Sequence, residues 1–202
     1  MSSPPDLKRE SILSAAQVQF SRYGFRRTSM ADIAKETGVS RASLYSYFEN
    51  KEEIFRSLAA SLHERSLAEA ENDLKGNATG FEEAGIATRV QAALLARIAP
   101  FLALVAESPH GSEIYDENNR LCGDLVLSSS EQFVAMLTTA LGAAARAGEI
   151  DLKRAGLTAP ATAQLVVLAA GGLKQGAADV ATFEKRIAGF VRVFFEGLVR
   201  RP

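Results

Sequence analysis

Residues 28–51 read TSMADIAKETGVSRASLYSYFENK, and the spacing within this stretch decides the fold around it. Thr28 and Ser29 offer side-chain oxygens to the free N–H groups of a short helix carrying Met30, Ile33, Ala34 and Thr37. Gly38 ends that helix, because without a Cβ it enters the left-handed region at little cost. Ser40 then caps a second short helix that runs through Phe48. Ile33 and Ala34 on the first helix, with Leu44 and Phe48 on the second, are the inward positions. Ala34 is small enough for a close helix crossing, and Val39 plugs the crossing point. These are the requirements of a helix-turn-helix, whose second helix enters the major groove of duplex DNA. Its outward side chains are then Arg41, Ala42, Ser43, Tyr45, Ser46 and Tyr47. That polar and aromatic set suits base edges, thymine methyls and phosphates better than it suits a solvated face.

The flanking sequence extends the same pattern. Ile12, Leu13, Ala16 and Phe20 recur at helical spacing in a first helix capped at Asp6 and ended by Gly24. Asn50 caps a fourth helix that carries Ile54, Phe55, Leu58 and Leu62 and runs to Gly76-Asn77. Beyond it the chain predicts helices over 80–99, from Pro100, over 112–147, over 160–178 and over 181–200. That makes about nine in all, preceded by a frayed tail at Met1–Pro5. Alanine, leucine, glutamate and arginine dominate, and no segment alternates apolar and polar residues as a strand does. The expected class is all-α. The division along the chain is a helix-turn-helix domain over 6–52 and a larger helical domain over 53–202.

Bulk composition narrows the function without choosing it. The 202 residues are 47% hydrophobic and 23% charged, ordinary for a globular protein. One cysteine, Cys122, can form neither an intrachain disulfide nor a paired-cysteine zinc site. The only histidines, His63 and His110, are too far apart for a helical metal pair. No metal, cofactor or catalytic residue is expected, since no Gly-rich phosphate loop, GxSxG or HExxH occurs. No unbroken run of about 18 apolar residues and no charged-then-apolar leader occurs, so no membrane partner is expected and the cytosol is the expected compartment. The net charge is −1, whereas DNA-binding domains are commonly basic. Residues 20–48 differ from the whole: Arg22, Arg26, Arg27, Lys35 and Arg41 face only Asp32 and Glu36.

The stretch from Ile12 to Leu62 resembles the DNA-binding domain of the TetR family of bacterial transcriptional regulators. The matching residues are Ala15-Ala16 with Phe20, Tyr23-Gly24-Phe25, Thr28-Ser29, Ile33-Ala34, Gly38-Val39-Ser40, Leu44-Tyr45, Tyr47-Phe48 and Asn50-Lys51-Glu52, with Leu58 beyond. The resemblance implies that Arg41, Ala42, Ser43, Tyr45 and Tyr47 face DNA from the recognition helix. Lys51, at the start of the next helix, would lie beside the phosphate backbone. Thr28 and Ser29 would cap and touch phosphate, and capping alone explains one of them. For Arg41 the choice is between guanine and phosphate, and for the two tyrosines between DNA contact and the packing of one ring in the core. The family also implies a bacterial homodimer on a pseudo-palindromic double-stranded operator, more naturally a repressor than an activator, released by a small molecule.

The C-terminal body supplies candidates for the last two roles. Phe183, Ile187, Phe190, Val191, Phe194, Phe195, Leu198 and Val199 form a long aromatic stripe. Leu165, Leu168, Ala169 and Gly172 lie on the preceding helix. Two such helices from each subunit can make a four-helix dimer interface, the alternative being an intramolecular pair. If the family pattern holds, an effector cavity draws on Phe101, Leu104, Val105, His110, Tyr115, Cys122, Phe133 and Met136. The rival class is an all-helical interaction module without specific DNA binding. It would account for the terminal stripe but not for the capped pattern at 28–51.

Overall fold

The computed structural model describes residues 4–77 and 84–198. Among them are eight helices and no strand: α1 Pro4–Tyr23, α2 Met30–Thr37, α3 Arg41–Tyr45, α4 Lys51–Lys75, α5 Ile86–Glu107, α6 Gly111–Ala147, α7 Ala159–Lys174 and α8 Val180–Glu196. The all-α expectation holds. Residues 1–3 of the expected tail, 80–83 of an expected helix, and Val199 lie outside the described residues.

The count of nine is corrected at Pro100, which lies inside α5 instead of opening a new helix. A proline there removes one backbone N–H and crowds the preceding turn, at a cost of about 3 kcal/mol. The helix continues because its apolar side chains pack on both sides of the proline. Val90, Ala93 and Leu94 enter one core, and Leu104 and Val105 pack against another. Tertiary burial outweighs local propensity. Asp6 is a smaller correction: α1 already begins at Pro4, so Asp6 sits in the first turn, where its charge suits the positive helix end.

Backbone contacts divide the chain into two compact units, neither contiguous in sequence. One comprises the residues up to Leu62 together with Ala103–Val126, and the other comprises His63–Leu102 together with the residues from Leu127 onward. Helices α4, α5 and α6 therefore each supply turns to both units.

In the first unit, Ile12, Ala16 and Phe20 of α1 meet Ile33 and Ala34 of α2, Leu44 of α3, Phe48, and Ile54 and Phe55 of α4. The rings of Phe20, Phe25 and Phe55 form a triangle with centroids 5.3–5.7 Å apart. Such tilted pairs add to stability beyond the area they bury. Ile114 and Cys122 of α6 complete this core. Cys122 is fully buried at a residue where α6 departs from helical geometry (φ −124°, ψ 16°). Burial pushes its thiol up to about 11, so it is a packing group and remains protonated at neutral pH.

The second unit is built on Leu67, Ala70 and Leu74 of α4, Val90 and Leu94 of α5, Phe133, Leu137 and Leu141 of α6, and Ala163, Val166 and Ala170 of α7. α8 closes it with Phe183, Ile187, Val191 and Phe195, and Leu198 follows. Gly148 ends α6 with a left-handed φ of 81° and delivers Glu149 to the start of α5. There the Glu149 carboxylate accepts from the Ile86 N–H at 2.9 Å and pairs with Arg89 at 3.0 Å.

The α8 result corrects the interface expectation. Phe183, Ile187, Val191, Phe195 and Leu198 are all buried within the chain. At steps of four residues, the first four form one seam, and that seam faces the unit's own core. Phe190 and Phe194 lie on the neighbouring side and are half-buried, and Val193 is 68% exposed.

Candidate nucleic-acid interface

Every turn of the helix-turn-helix is fixed by a local hydrogen bond. The Ser29 hydroxyl oxygen accepts from the Asp32 N–H at 3.3 Å, while the Asp32 carboxylate accepts from the Ser29 N–H at 2.9 Å. This reciprocal box caps α2. The same Ser29 hydrogen bonds hold the Asp32 carboxyl below its ordinary range. At the other end Gly38 adopts φ 73°, and its N–H and that of Val39 donate to Lys35 and Ala34. This is the Schellman closure that a side chain at position 38 would strain. Ser40 then caps α3, accepting from the Ser43 N–H at 3.1 Å. Asn50 caps α4, accepting from the Glu53 N–H at 2.8 Å.

Leu44 and Phe48 are buried and anchor the second helix, as the spacing predicts. Arg41, Ala42, Tyr45 and Ser46 are exposed, while Ser43 and Tyr47 are half-buried. Tyr45 is 54% exposed, whereas Tyr47 packs partly on the core. The structure therefore separates the two tyrosines that the sequence left equivalent.

Two expected contacts face inward. Thr28 is only 2% exposed, and its hydroxyl donates to the carbonyls of Gly24 at 2.7 Å and Gln19 at 3.3 Å. It braces the end of α1 and has no reach to a phosphate. The capping role belongs to Ser29. The Lys51 ammonium donates to the carbonyls of Phe25, Thr28 and Arg26 at 2.9, 3.2 and 3.4 Å. It also lies 4.4 Å from the centroid of the Phe25 ring. A lysine has three N–H donors, and all three have acceptors here, so Lys51 staples the loop between α1 and α2 to the start of α4. Charge-assisted hydrogen bonds of this kind are worth about 1.5–3 kcal/mol. We expect Lys51→Met to lower the melting temperature of the free protein by that equivalent, as followed by circular dichroism without DNA. Unchanged stability would return Lys51 to a purely electrostatic role.

The same loop is held by the start of α6. The Arg26 N–H donates to the Glu113 carboxylate at 2.6 Å, and the Arg26 guanidinium pairs with the buried Glu117 at 3.4 Å. Gly24 adopts φ 84°, a conformation that a side chain would strain, and a Cβ there would push the Glu113 carboxylate aside. One turn further, Arg56 of α4 grips Asp124 through two hydrogen bonds at 2.8 and 2.7 Å and also donates to the Leu121 carbonyl. The Arg56 guanidinium holds the Asp124 carboxyl down at about 2. A groove of about 650 Å³ beside α2 is lined by Arg22, Arg27 and Lys35 together with Asp32, Glu36 and His110, a mixed-charge edge with one positive charge in excess.

The effector candidates divide between the two units. Leu104 and Val105 pack against the core of the first unit, and Cys122 is part of that core. His110 lines the groove beside α2 and Tyr115 is 42% exposed. Phe133 is buried in the core of the second unit, Met136 packs against it, and Phe101 is half-buried. The cause is α6: its first half belongs to one unit and its second half to the other.

What the sequence reading missed lies in the second unit. Arg97 of α5 donates to the Ser129 hydroxyl of α6 at 2.7 Å, and Ser129 is nearly fully buried. Burial lowers the pKa of Arg97. Burial, and then the Arg97 charge, push His63 of α4 down to about 4, so its imidazole is neutral at pH 7. A signal was present: Arg97 is the only charged residue between Arg89 and Glu107. α5 is also long and apolar enough by composition to cross a membrane, yet only 17% of its apolar window is buried.

Comparison with known proteins adds to this geometry. Residues 12–58 match the family model for bacterial regulatory proteins of the tetR family. The transcriptional regulator TtgR of Pseudomonas putida is 45% identical over 56 residues, which is 28% of this chain and 27% of the relative. The chain thus aligns with about a quarter of that relative's length. Solved structures extend the likeness in fold. A TetR transcription regulator from Haloarcula marismortui superposes with TM-score 0.70 over 96% of this chain and 98% of that one, at 17% identity. SmeT, the repressor of the Stenotrophomonas maltophilia multidrug efflux pump SmeDEF, does so with TM-score 0.67 over 95% and 90%, at 19% identity. Its complex with triclosan gives 0.66 over 96% and 92%, at 18% identity.

Proposed function

We propose that this chain, whose residues 12–58 match the TetR family model and whose fold resembles that of solved TetR-family regulators, is a cytoplasmic, homodimeric transcriptional repressor of that family, released from its operator by a small molecule. The observation that carries this reading is α3, a helix pinned from beneath by Leu44 and Phe48 while Arg41, Ala42 and Tyr45 stand outward. Arg41 is suited to the O6/N7 edge of guanine, Tyr45 to phosphate and thymine methyl, and Ala42 to close approach of the groove wall. Ser43, at the middle of α3, is half-buried. Arg22, Arg27 and Lys35 add sequence-independent attraction.

A five-residue helix reads too little DNA alone, so a second copy is needed to join two half-sites about one helical turn apart. Leu165, Leu168, Ala169 and Gly172 of α7, with Phe190, Val193 and Phe194 of α8, supply the apolar face for it. In functional terms the chain divides into a DNA-reading part over 6–52 and an effector-binding and dimerising part over 53–202.

Release requires an effector that binds the two states of the dimer with unequal affinity. Tilting of α4 would move the staple at Lys51 and the grip of Arg56 on Asp124 together, and with them the recognition helix. SmeT is a repressor whose structure is known with triclosan, which supports both the sign and the ligand. The test is selection of fragments from the source genome by the purified protein, followed by a salt-titrated shift of the enriched duplex. We expect one pseudo-palindromic site, with binding that weakens steeply as salt rises. Retention indifferent to sequence would reduce the activity to generic polyanion affinity and overturn the proposal.

A further inference from the structure

We propose that the second unit takes an amphiphilic carboxylate, an apolar chain ending in a carboxyl group, with Arg97 as its counter-ion. This rests on the ligand-released reading above and names the chemical class of the ligand. Two independent observations carry it. The first is the cation. Arg97 stands alone in a stretch from Val90 to Ala106 that is otherwise uncharged, and its one hydrogen bond to a side chain among the described residues goes to Ser129. Among the described residues no carboxylate pairs with it, unlike Arg26, Arg56, Arg89 and Arg120. A partly buried guanidinium is costly unless its charge and its donors are met. Ser129 meets one donor of five, and the planar fork left over matches a carboxylate.

The second observation is the surface around it. From Gln91 to Leu102 every residue of α5 except Ala93 and Leu94 is half-exposed, although nearly all are apolar. A helix apolar all round is normally covered on every side. Leu95, Ile98 and Leu102 pack against the core on part of their surface only, as does Met136 of α6. The neutral His63 places no second cation beside Arg97, so one negative charge balances the site. One charge set in aliphatic surroundings defines a ligand with one charge and an apolar body.

The test compares dodecanoate with dodecan-1-ol, which share the chain and differ in the charge, by titration calorimetry on the purified protein. We expect dodecanoate to bind about 10- to 100-fold more tightly than the alcohol. Arg97→Gln should erase that ratio, and Arg97→Lys should keep part of it. If Arg97→Gln fails to fold, the acid-to-alcohol ratio in the parent and in Ser129→Ala decides the matter. Equal affinity for acid and alcohol, or no binding of dodecanoate below millimolar concentration, overturns the inference. So does assembly beyond a dimer that shields α5, which would assign its surface to another copy. Specific operator retention without dodecanoate binding would sink this inference and leave the regulator standing. Arg97-dependent dodecanoate binding with sequence-indifferent DNA affinity would do the reverse.

Discussion

Changing Leu168 and Val193 together to aspartate is expected to give a folded monomer that no longer holds a specific operator. Leu168 is 72% exposed on α7 and Val193 is 68% exposed on α8, so a carboxylate at either position stays in water in the single chain. Exposed substitutions of this kind shift stability by about 0.5 kcal/mol or less. In a four-helix interface the same two carboxylates meet their copies in a desolvated apolar centre, where unpaired charge is strongly unfavourable. Gly171, Gly172 and Gly189 have open space beside them, as a close helix approach requires. Losing the second recognition helix removes the effective-concentration gain of two linked sites, about 10²- to 10⁴-fold in affinity. Sedimentation velocity, a circular dichroism melt and a duplex titration would read the three effects separately. A variant that remains dimeric would misplace the interface, and a monomer with parental affinity would remove the need for one. Phe195→Asp is the contrast: Phe195 is a core residue, so that change should unfold the second unit.

The features read correctly from the sequence were those decided within a few residues. Ser29, Gly38, Ser40 and Asn50 act on backbone groups one to five positions away, and each does what its residue type predicts. The misread features depend on distant partners. Lys51 at a helix N-terminus implied an anion, but its acceptors are carbonyls 23 to 26 residues earlier in the chain. The α8 stripe is as apolar as the sequence says. Periodicity reports that a face is covered, not whether the cover is the same chain or a copy. The effector candidates share one stretch of chain, while α5 and α6 each change units along their length. Arg97 is legible as a lone charge in an apolar helix, a signal carried by charge and not by the large apolar and aromatic residues around it.

Replacing Arg41 and Tyr45 with alanine should reduce operator binding to the non-specific level without loosening the fold. Both side chains are exposed, and neither belongs to the core that Leu44 and Phe48 anchor. A good base contact is worth about 1–3 kcal/mol of discrimination, and a dimer presents each residue twice. The double variant should therefore lose about two orders of magnitude or more for the selected site, and far less for random duplex. Its melting temperature should match the parent's, whereas Leu44→Ala should lower it by the equivalent of about 2–5 kcal/mol. That comparison separates a lost reading surface from a lost domain. Lys51→Met supplies a third pattern, in which stability falls and affinity weakens for every sequence alike. If the Arg41/Tyr45 variant binds the selected operator as the parent does, α3 is not the recognition helix. The three basic side chains Arg22, Arg27 and Lys35 beside α2 would then be the surface left to carry DNA.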